Sequence, residues 1–169
     1  MHKHHRRLLA AAVAAAAGTI AVTGVTAASA TPRTQPAISG TEHVQVMSTS
    51  TTSSPAPTIA YGAFTAAGTA KLGSARVGTI AFPGGTIKLS HHAGKGTMRF
   101  SPRTCLAMIS QPGTYKIIGG TGKYAGISGR GTYQLNLTFI AARANGRCST
   151  AAPPAAQQEL LRLSGPVHL

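Results

Sequence analysis

The chain holds very few carboxyl groups that could carry acid–base chemistry. Glu42 and Glu159 are its only acidic residues, and it contains no Asp. A Ser-His-Asp triad cannot be assembled without Asp, and carboxylate cages for Ca²⁺ or Mg²⁺ lack ligands. Mechanisms that depend on two paired carboxylates are largely excluded as well.

Glu159 is the one weak candidate for a catalytic residue. It has the same strand parity as Leu161, Leu163 and Val167, so its carboxyl group could face the interior of a β-structure. There it could act as a general acid or base with Tyr115 or Tyr133 as a hydroxyl partner. The alternative is a solvent-facing Glu near the start of a strand. Glu42 lies in a Thr- and Ser-rich segment and is predicted to be solvated.

A glycine-rich stretch from Ile118 to Gly131 matches the start of a nucleotide-binding motif only superficially. Residues 120–125 satisfy G-x-G-x-x-A. A dinucleotide site also needs a following helix and an acidic residue about 20 positions on. Here Ser128-Gly129-Arg130-Gly131 interrupts any helix, and the next acid is Glu159. Nucleotide binding is therefore not expected.

The histidines and cysteines point to structure rather than to a metal or cofactor. His91 and His92 are adjacent, and on a strand they would point to opposite faces and chelate poorly. We expect neither a metal nor a cofactor. Cys105 and Cys148 are the only cysteines, and an even pair in an exported protein predicts a disulfide. A free thiol nucleophile and an intermolecular bridge are the alternatives.

The first thirty residues have the three parts of a secretory signal peptide. Lys3, Arg6 and Arg7 precede the apolar run Leu8–Ala17, and a small-x-small site ends at Ala30. The run is shorter than the 20 or so residues of a membrane span, so we expect cleavage after Ala30, secretion and no stable membrane insertion. An uncleaved anchor helix is the alternative.

The rest of the chain divides into a tether and a β-domain. Residues 31–56 are rich in Thr, Ser, Pro and Ala and are predicted to be a disordered tether. Residues 57–169 follow a period of two interrupted by Gly and Pro, as in Tyr133, Leu135, Leu137 and Phe139. About eight short strands on this length predict an all-β fold, a small antiparallel barrel.

The glycine-rich stretch resembles that of the allene oxide cyclase and dirigent barrel superfamily, and most closely a secreted bacterial branch of it. The resemblance implies an eight-stranded antiparallel barrel with a central cavity, in which plant relatives cyclise an unsaturated epoxide or orient phenoxy radicals. It carries over no catalytic residue, because the acidic residues of those sites have no counterpart here. The matching positions are Gly119, Gly120, Thr121, Gly122, Tyr124, Gly126 and Gly129.

These features predict a secreted cationic barrel that binds a small apolar ligand without catalysis. Removing residues 1–30 leaves thirteen Lys and Arg against two Glu, a formal charge of +11. Binding of extracellular or cell-wall polyanions is therefore the first alternative, and a cyclase or isomerase is the second. The sequence shows no oligomer interface. The candidate cavity residues are Phe100, Tyr115, Tyr133, Leu135, Leu137, Phe139 and Leu161.

Overall fold

The protein is described by a computed structural model that covers residues 37–49, 55–72, 76–149 and 151–169. The predicted signal peptide and its cleavage site lie outside these residues. The described chain is built of strands and one 3-10 turn at Gly122–Tyr124. The strands are β1 (Ser39–Ser48), β2 (Ala56–Gly62), β3 (Ala66–Leu72), β4 (Val77–Phe82), β5 (Gly85–Ala93), β6 (Thr97–Ser101), β7 (Leu106–Gly120), β8 (Ser128–Ile140), β9 (Ala142–Ala144), β10 (Arg147–Ser149) and β11 (Ala156–His168).

Eight of these strands close into an antiparallel barrel, which confirms the predicted fold. The hydrogen-bonded order is β5-β4-β3-β2-β1-β11-β8-β7, and β7 pairs again with β5. Strand β7 is long enough to pair twice on the same edge. Its residues 113–120 pair with β5, and its residues 106–110 pair with β6, beyond the closed part of the barrel. Strands β9 and β10 form a separate hairpin.

Alternation along each strand fills the barrel with apolar side chains. In β11, Leu161, Leu163 and Val167 are buried, while Arg162, Pro166 and His168 are exposed. This is the period of two expected for a sheet with one wet face. The core cluster consists of Val44, Val46, Ala60, Ala70, Ile80, Phe82, Ile87, Leu89, Tyr115, Ile117, Tyr124, Ile127, Leu161, Leu163 and Val167.

The predicted tether over residues 31–56 is wrong where residues 39–48 form β1. This strand lies between β2 and β11 and pairs with β11 over its whole length. Val44 and Val46 are buried in the core. The apolar alternation in this Thr- and Ser-rich segment is short, since it consists of Val44 and Val46 alone. The strand that carries these two valines completes the barrel wall. The barrel therefore begins eighteen positions before the predicted boundary at residue 57.

The predicted disulfide is present between Cys105 and Cys148. Their sulfur atoms are 2.04 Å apart, and no described cysteine is free. The bond joins the turn between β6 and β7 to the β9–β10 hairpin. Arg143 strengthens this junction by donating from Nη2 to the carbonyl oxygen of Arg103 at 2.6 Å. Among the described residues, no helix has the length and apolar character needed to cross a bilayer.

Candidate functional site

The barrel has one end closed by packing and one end that contains a cavity. At the closed end, Tyr124 packs between Phe64 and Phe82, with ring centroids 5.4 and 5.9 Å away. The other end, where β1 and β5 finish and β11 begins, is called the open end below. It contains a cavity of about 190 Å³ lined by Leu89, His91, Ala93, Gln111, Tyr133, Leu135, Glu159, Leu161 and Leu163.

The cavity wall is apolar with four polar groups set into it. Four leucines and Ala93 form the apolar part of the lining, and the polar groups belong to Glu159, His91, Tyr133 and Gln111. The rings of His91 and Tyr133 meet edge to face with their centroids 6.1 Å apart. Such a lining is typical of sites that hold an apolar body and orient it with a few polar contacts.

Glu159 lies in this cavity rather than at the solvent-facing side of its strand. It stands opposite Ser48 of β1 and Leu137 of β8, and its side chain is partly buried. Burial raises the pKa of its carboxyl group above the ordinary value, with no neighbouring charge contributing. Burial also raises the pKa of the Tyr133 hydroxyl. A raised pKa brings a carboxyl group closer to the range in which it can act as a general acid or base.

The seven predicted cavity residues separate into three groups along the inner face. Tyr133, Leu135 and Leu161 line the cavity. Tyr115 lies deeper in the packed core. Phe100, Leu137 and Phe139 lie on the inner face beyond the cavity.

The inner face continues past the barrel rim as an apolar lip. Residues opposite each other on neighbouring strands point to the same side. Met98 is opposite Ile109, and Ile109 is opposite Leu137. The same relation joins Phe100, Ala107 and Phe139. The lip is defined as Met98, Phe100, Ala107, Ile109, Leu137 and Phe139.

Glu42 is buried inside the barrel, so its predicted solvation is wrong. Only 3% of the residue is exposed. The Phe64 amide donates to Oε2 at 3.0 Å, whereas Oε1 has no hydrogen-bond partner among the described residues. Burial raises the pKa of this carboxyl group, and the Phe64 amide, other nearby amides and the His43 charge offset only part of that rise. Glu42 lies on β1, inside the predicted tether, and the alternation of this strand turns its side chain inward with those of Val44 and Val46.

Tyr115 and Glu42 share a void too small for a ligand. They line a space of about 20 Å³ together with apolar core residues, which is close to the volume that one water molecule needs. Burial raises the pKa of the Tyr115 hydroxyl, and the nearby Glu42 charge adds to the rise. The barrel centre is therefore packed, and the ligand-sized space inside the barrel lies at the open end.

The glycine-rich segment closes the opposite end of the barrel and has a structural role there. Gly122 has a φ of +59°, and a Cβ atom at this position would be 2.0 Å from the Gly84 carbonyl oxygen. The Thr121 and Thr86 hydroxyl groups hydrogen-bond at 2.8 Å. These close approaches bring Tyr124 into the core, where it is 1% exposed.

Five cavity residues were missed by the sequence reasoning, although the signal was present. His91 continues the inward parity of Ile87 and Leu89, and its neighbour His92 is exposed. Gln111 has the parity of Tyr115 on β7. The missed residues are Leu89, His91, Ala93, Gln111 and Leu163. Within the described residues, no three His, Cys, Asp or Glu side chains come together.

Comparisons with known proteins give no relative. Neither the family models, nor the curated proteins, nor the solved structures contain a match to this chain.

Proposed function

We propose that the barrel binds a small, mainly apolar molecule in the cavity at its open end, and that binding rather than catalysis is its role. The observation that supports this most is the cavity of about 190 Å³ with four leucines and four polar groups in its lining. An apolar cavity of about 150 Å³ holds benzene, whereas drug-sized ligands need roughly 300 Å³ or more. The expected ligand is a single ring or short chain with one polar group.

The experiment is a calorimetric titration with 4-propylphenol, whose ring fits the leucines and whose hydroxyl can reach Glu159 or His91. We expect saturable binding with one site per chain. Ala93 lines the cavity and is exposed, so Ala93→Phe should block it without disturbing the core. Ala81 is exposed on the outer face of β4, and Ala81→Phe is the matched control.

The following outcomes distinguish a cavity that binds a ligand from one that does not. Loss of at least tenfold in affinity for Ala93→Phe, with Ala81→Phe unchanged, supports the proposal. Native mass spectrometry of the protein as purified should also show a small adduct that Ala93→Phe lacks. Absence of both the adduct and 4-propylphenol binding would overturn the proposal.

A cyclase or isomerase is the second candidate, favoured by the carboxyl group in the cavity. Burial raises the pKa of Glu159, which suits a general acid or base. In Glu159→Gln, an enzyme should keep its affinity for the ligand and lose turnover. Conversion of an added epoxide at the same rate by both proteins would exclude this residue from the chemistry.

We further propose that the chain is exported and is a distant member of the allene oxide cyclase and dirigent barrel superfamily. The leader sequence and the disulfide support export. The closed eight-stranded barrel and the position of the glycine-rich segment support the family. The mass of protein recovered from the culture medium would test cleavage after Ala30.

A further inference from the structure

The lip ends at Met98 and Phe100 in an apolar surface that the described chain leaves exposed, whereas Ala107 at its base is buried. Met98 is 61% exposed and Phe100 is 45% exposed, and both lie at the end of the sheet on β6. Met108, on the other side of the same sheet, is 51% exposed. Exposed apolar patches rimmed by polar residues mark interaction surfaces on soluble proteins.

Cations surround the lip. Lys95 precedes β6, and Arg103 follows it in the turn to β7. Arg99 lies within β6 opposite Met108, on the other side of the sheet from Met98 and Phe100. The β9–β10 hairpin adds Arg143 and Arg147 and is held against this turn by the disulfide. All five side chains are exposed.

The exposed cations greatly outnumber the acidic side chains. The twelve described Lys and Arg residues are all exposed, whereas Glu42 is buried and Glu159 is partly buried in the cavity. The fully exposed charged side chains of the described residues are therefore all positive, and they attract anionic surfaces over the range of a Debye length.

We propose that the open end docks on an anionic lipid surface, with Met98 and Phe100 inserted among the lipids and the surrounding cations on the headgroups. Apolar side chains flanked by Lys and Arg are the usual composition of interfacial membrane contacts. A second copy of this chain with its lip at the contact fits poorly, because it would bring five more cations, and the one described acid near the lip is the partly buried Glu159.

Docking would place the cavity against the source of an apolar ligand. The inner face is continuous from Leu135 in the cavity to Leu137 and Phe139 on the lip. A ligand that leaves the bilayer would therefore remain in contact with apolar side chains until it reached the cavity. This transfer step rests on the proposed function, whereas docking itself does not.

The test is sedimentation of the full chain with sucrose-loaded vesicles of phosphatidylglycerol and phosphatidylcholine, compared with phosphatidylcholine alone. We expect binding to the anionic vesicles that weakens as salt rises. Each basic residue near such a surface contributes roughly fivefold in partition. Arg99→Gln with Arg103→Gln should therefore lower it by about 25-fold.

Matched variants assign the effect to the lip. Met98→Ser with Phe100→Ser should reduce vesicle binding strongly, while Ile59→Ser with Ile118→Ser, two exposed residues elsewhere, should not. Arg162→Gln with Lys88→Gln is the charge control away from the lip. All variants contain the same residues outside the barrel. Any contribution of those residues to vesicle binding is therefore the same in each variant and cancels in the comparison.

Three results would overturn the proposal. These are equal binding to neutral vesicles, equal binding by the lip variant, and a dimer that Met98→Ser with Phe100→Ser converts to a monomer. The last result would assign the lip to a second copy. Retained 4-propylphenol binding in the lip variant keeps the two proposals separable, because the cavity can then fail or succeed on its own.

Discussion

Replacing Glu42 by Gln should be more favourable to the stability of the barrel at neutral pH than in acid. The Gln carbonyl can still accept the hydrogen bond that the Phe64 amide makes to Oε2 at 3.0 Å. The change removes the ability to ionise and places an uncharged NH2 group where Oε1 lies. In the native protein an ionised Glu42 would leave Oε1 buried without a partner among the described residues.

The sign follows from the direction of the pKa shift. Burial raises the folded-state pKa of Glu42 above 4.5, so folding favours the protonated form. The free energy of unfolding is then highest below the unfolded-state pKa and falls as the pH rises towards the folded-state pKa. A buried acceptor without a partner costs about 1–3 kcal/mol, and more when charged. The Gln NH2 group is also buried without a partner among the described residues, so only the extra cost of the charge is removed. We therefore expect Glu42→Gln to be about 1 kcal/mol more favourable at neutral pH than in acid.

Urea unfolding followed by circular dichroism at about pH 4 and about pH 7 measures this difference, because the histidine contributions cancel between native protein and variant. Glu159→Gln is the control. Its carboxyl group is only partly buried, and the pKa rise has the same cause, so we expect a smaller gain in the same direction. A difference between Glu42→Gln and the native protein that does not change with pH, or a loss that is larger at neutral pH, would refute the reasoning.

Three further experiments test the elements that hold the barrel. Replacing both Cys105 and Cys148 by Ser opens a link of sequence separation 43, and the urea midpoint should show a loss of about 4 kcal/mol. Gly122→Ala and Gly126→Ala both place Ala at positive φ, which costs about 1–2 kcal/mol. Gly122→Ala should lose more in thermal denaturation, since its Cβ atom meets the Gly84 carbonyl oxygen while the Gly126 position is open. Tyr124→Phe removes a buried hydroxyl without a partner among the described residues, and its melting temperature should rise, corresponding to about 1–3 kcal/mol.

The barrel could be predicted because its strands alternate strongly. Leu161, Leu163 and Val167 on β11, and Tyr133 with Leu135 on β8, repeat at a period of two that only a strand satisfies. The disulfide followed from the cysteine count. Both signals are local in sequence, so neither depends on knowing which strands become neighbours.

Strand β1 and the cavity could not be predicted in the same way. Val44 and Val46 are the only buried apolar residues on β1, and two residues do not establish a period. The cavity depends on register between distant strands, which sets Glu159 opposite Leu137 and Gln111 opposite Leu135. Register is a property of the assembled sheet, and no window along the chain contains it.

The distribution of charge makes the two ends of the barrel unequal. Burying the carboxyl group of Glu42 in the packed barrel centre is costly. The void beside it is only about 20 Å³, so it cannot hold a ligand. Glu159 is only partly buried and lies at the open end. Since the glycine-rich segment seals the end near Tyr124, the proposed ligand would enter and leave past the lip. Variants at Met98 and Phe100 should therefore alter the rate of ligand exchange with vesicles more than the affinity for the dissolved ligand, which stopped-flow transfer and calorimetry can separate.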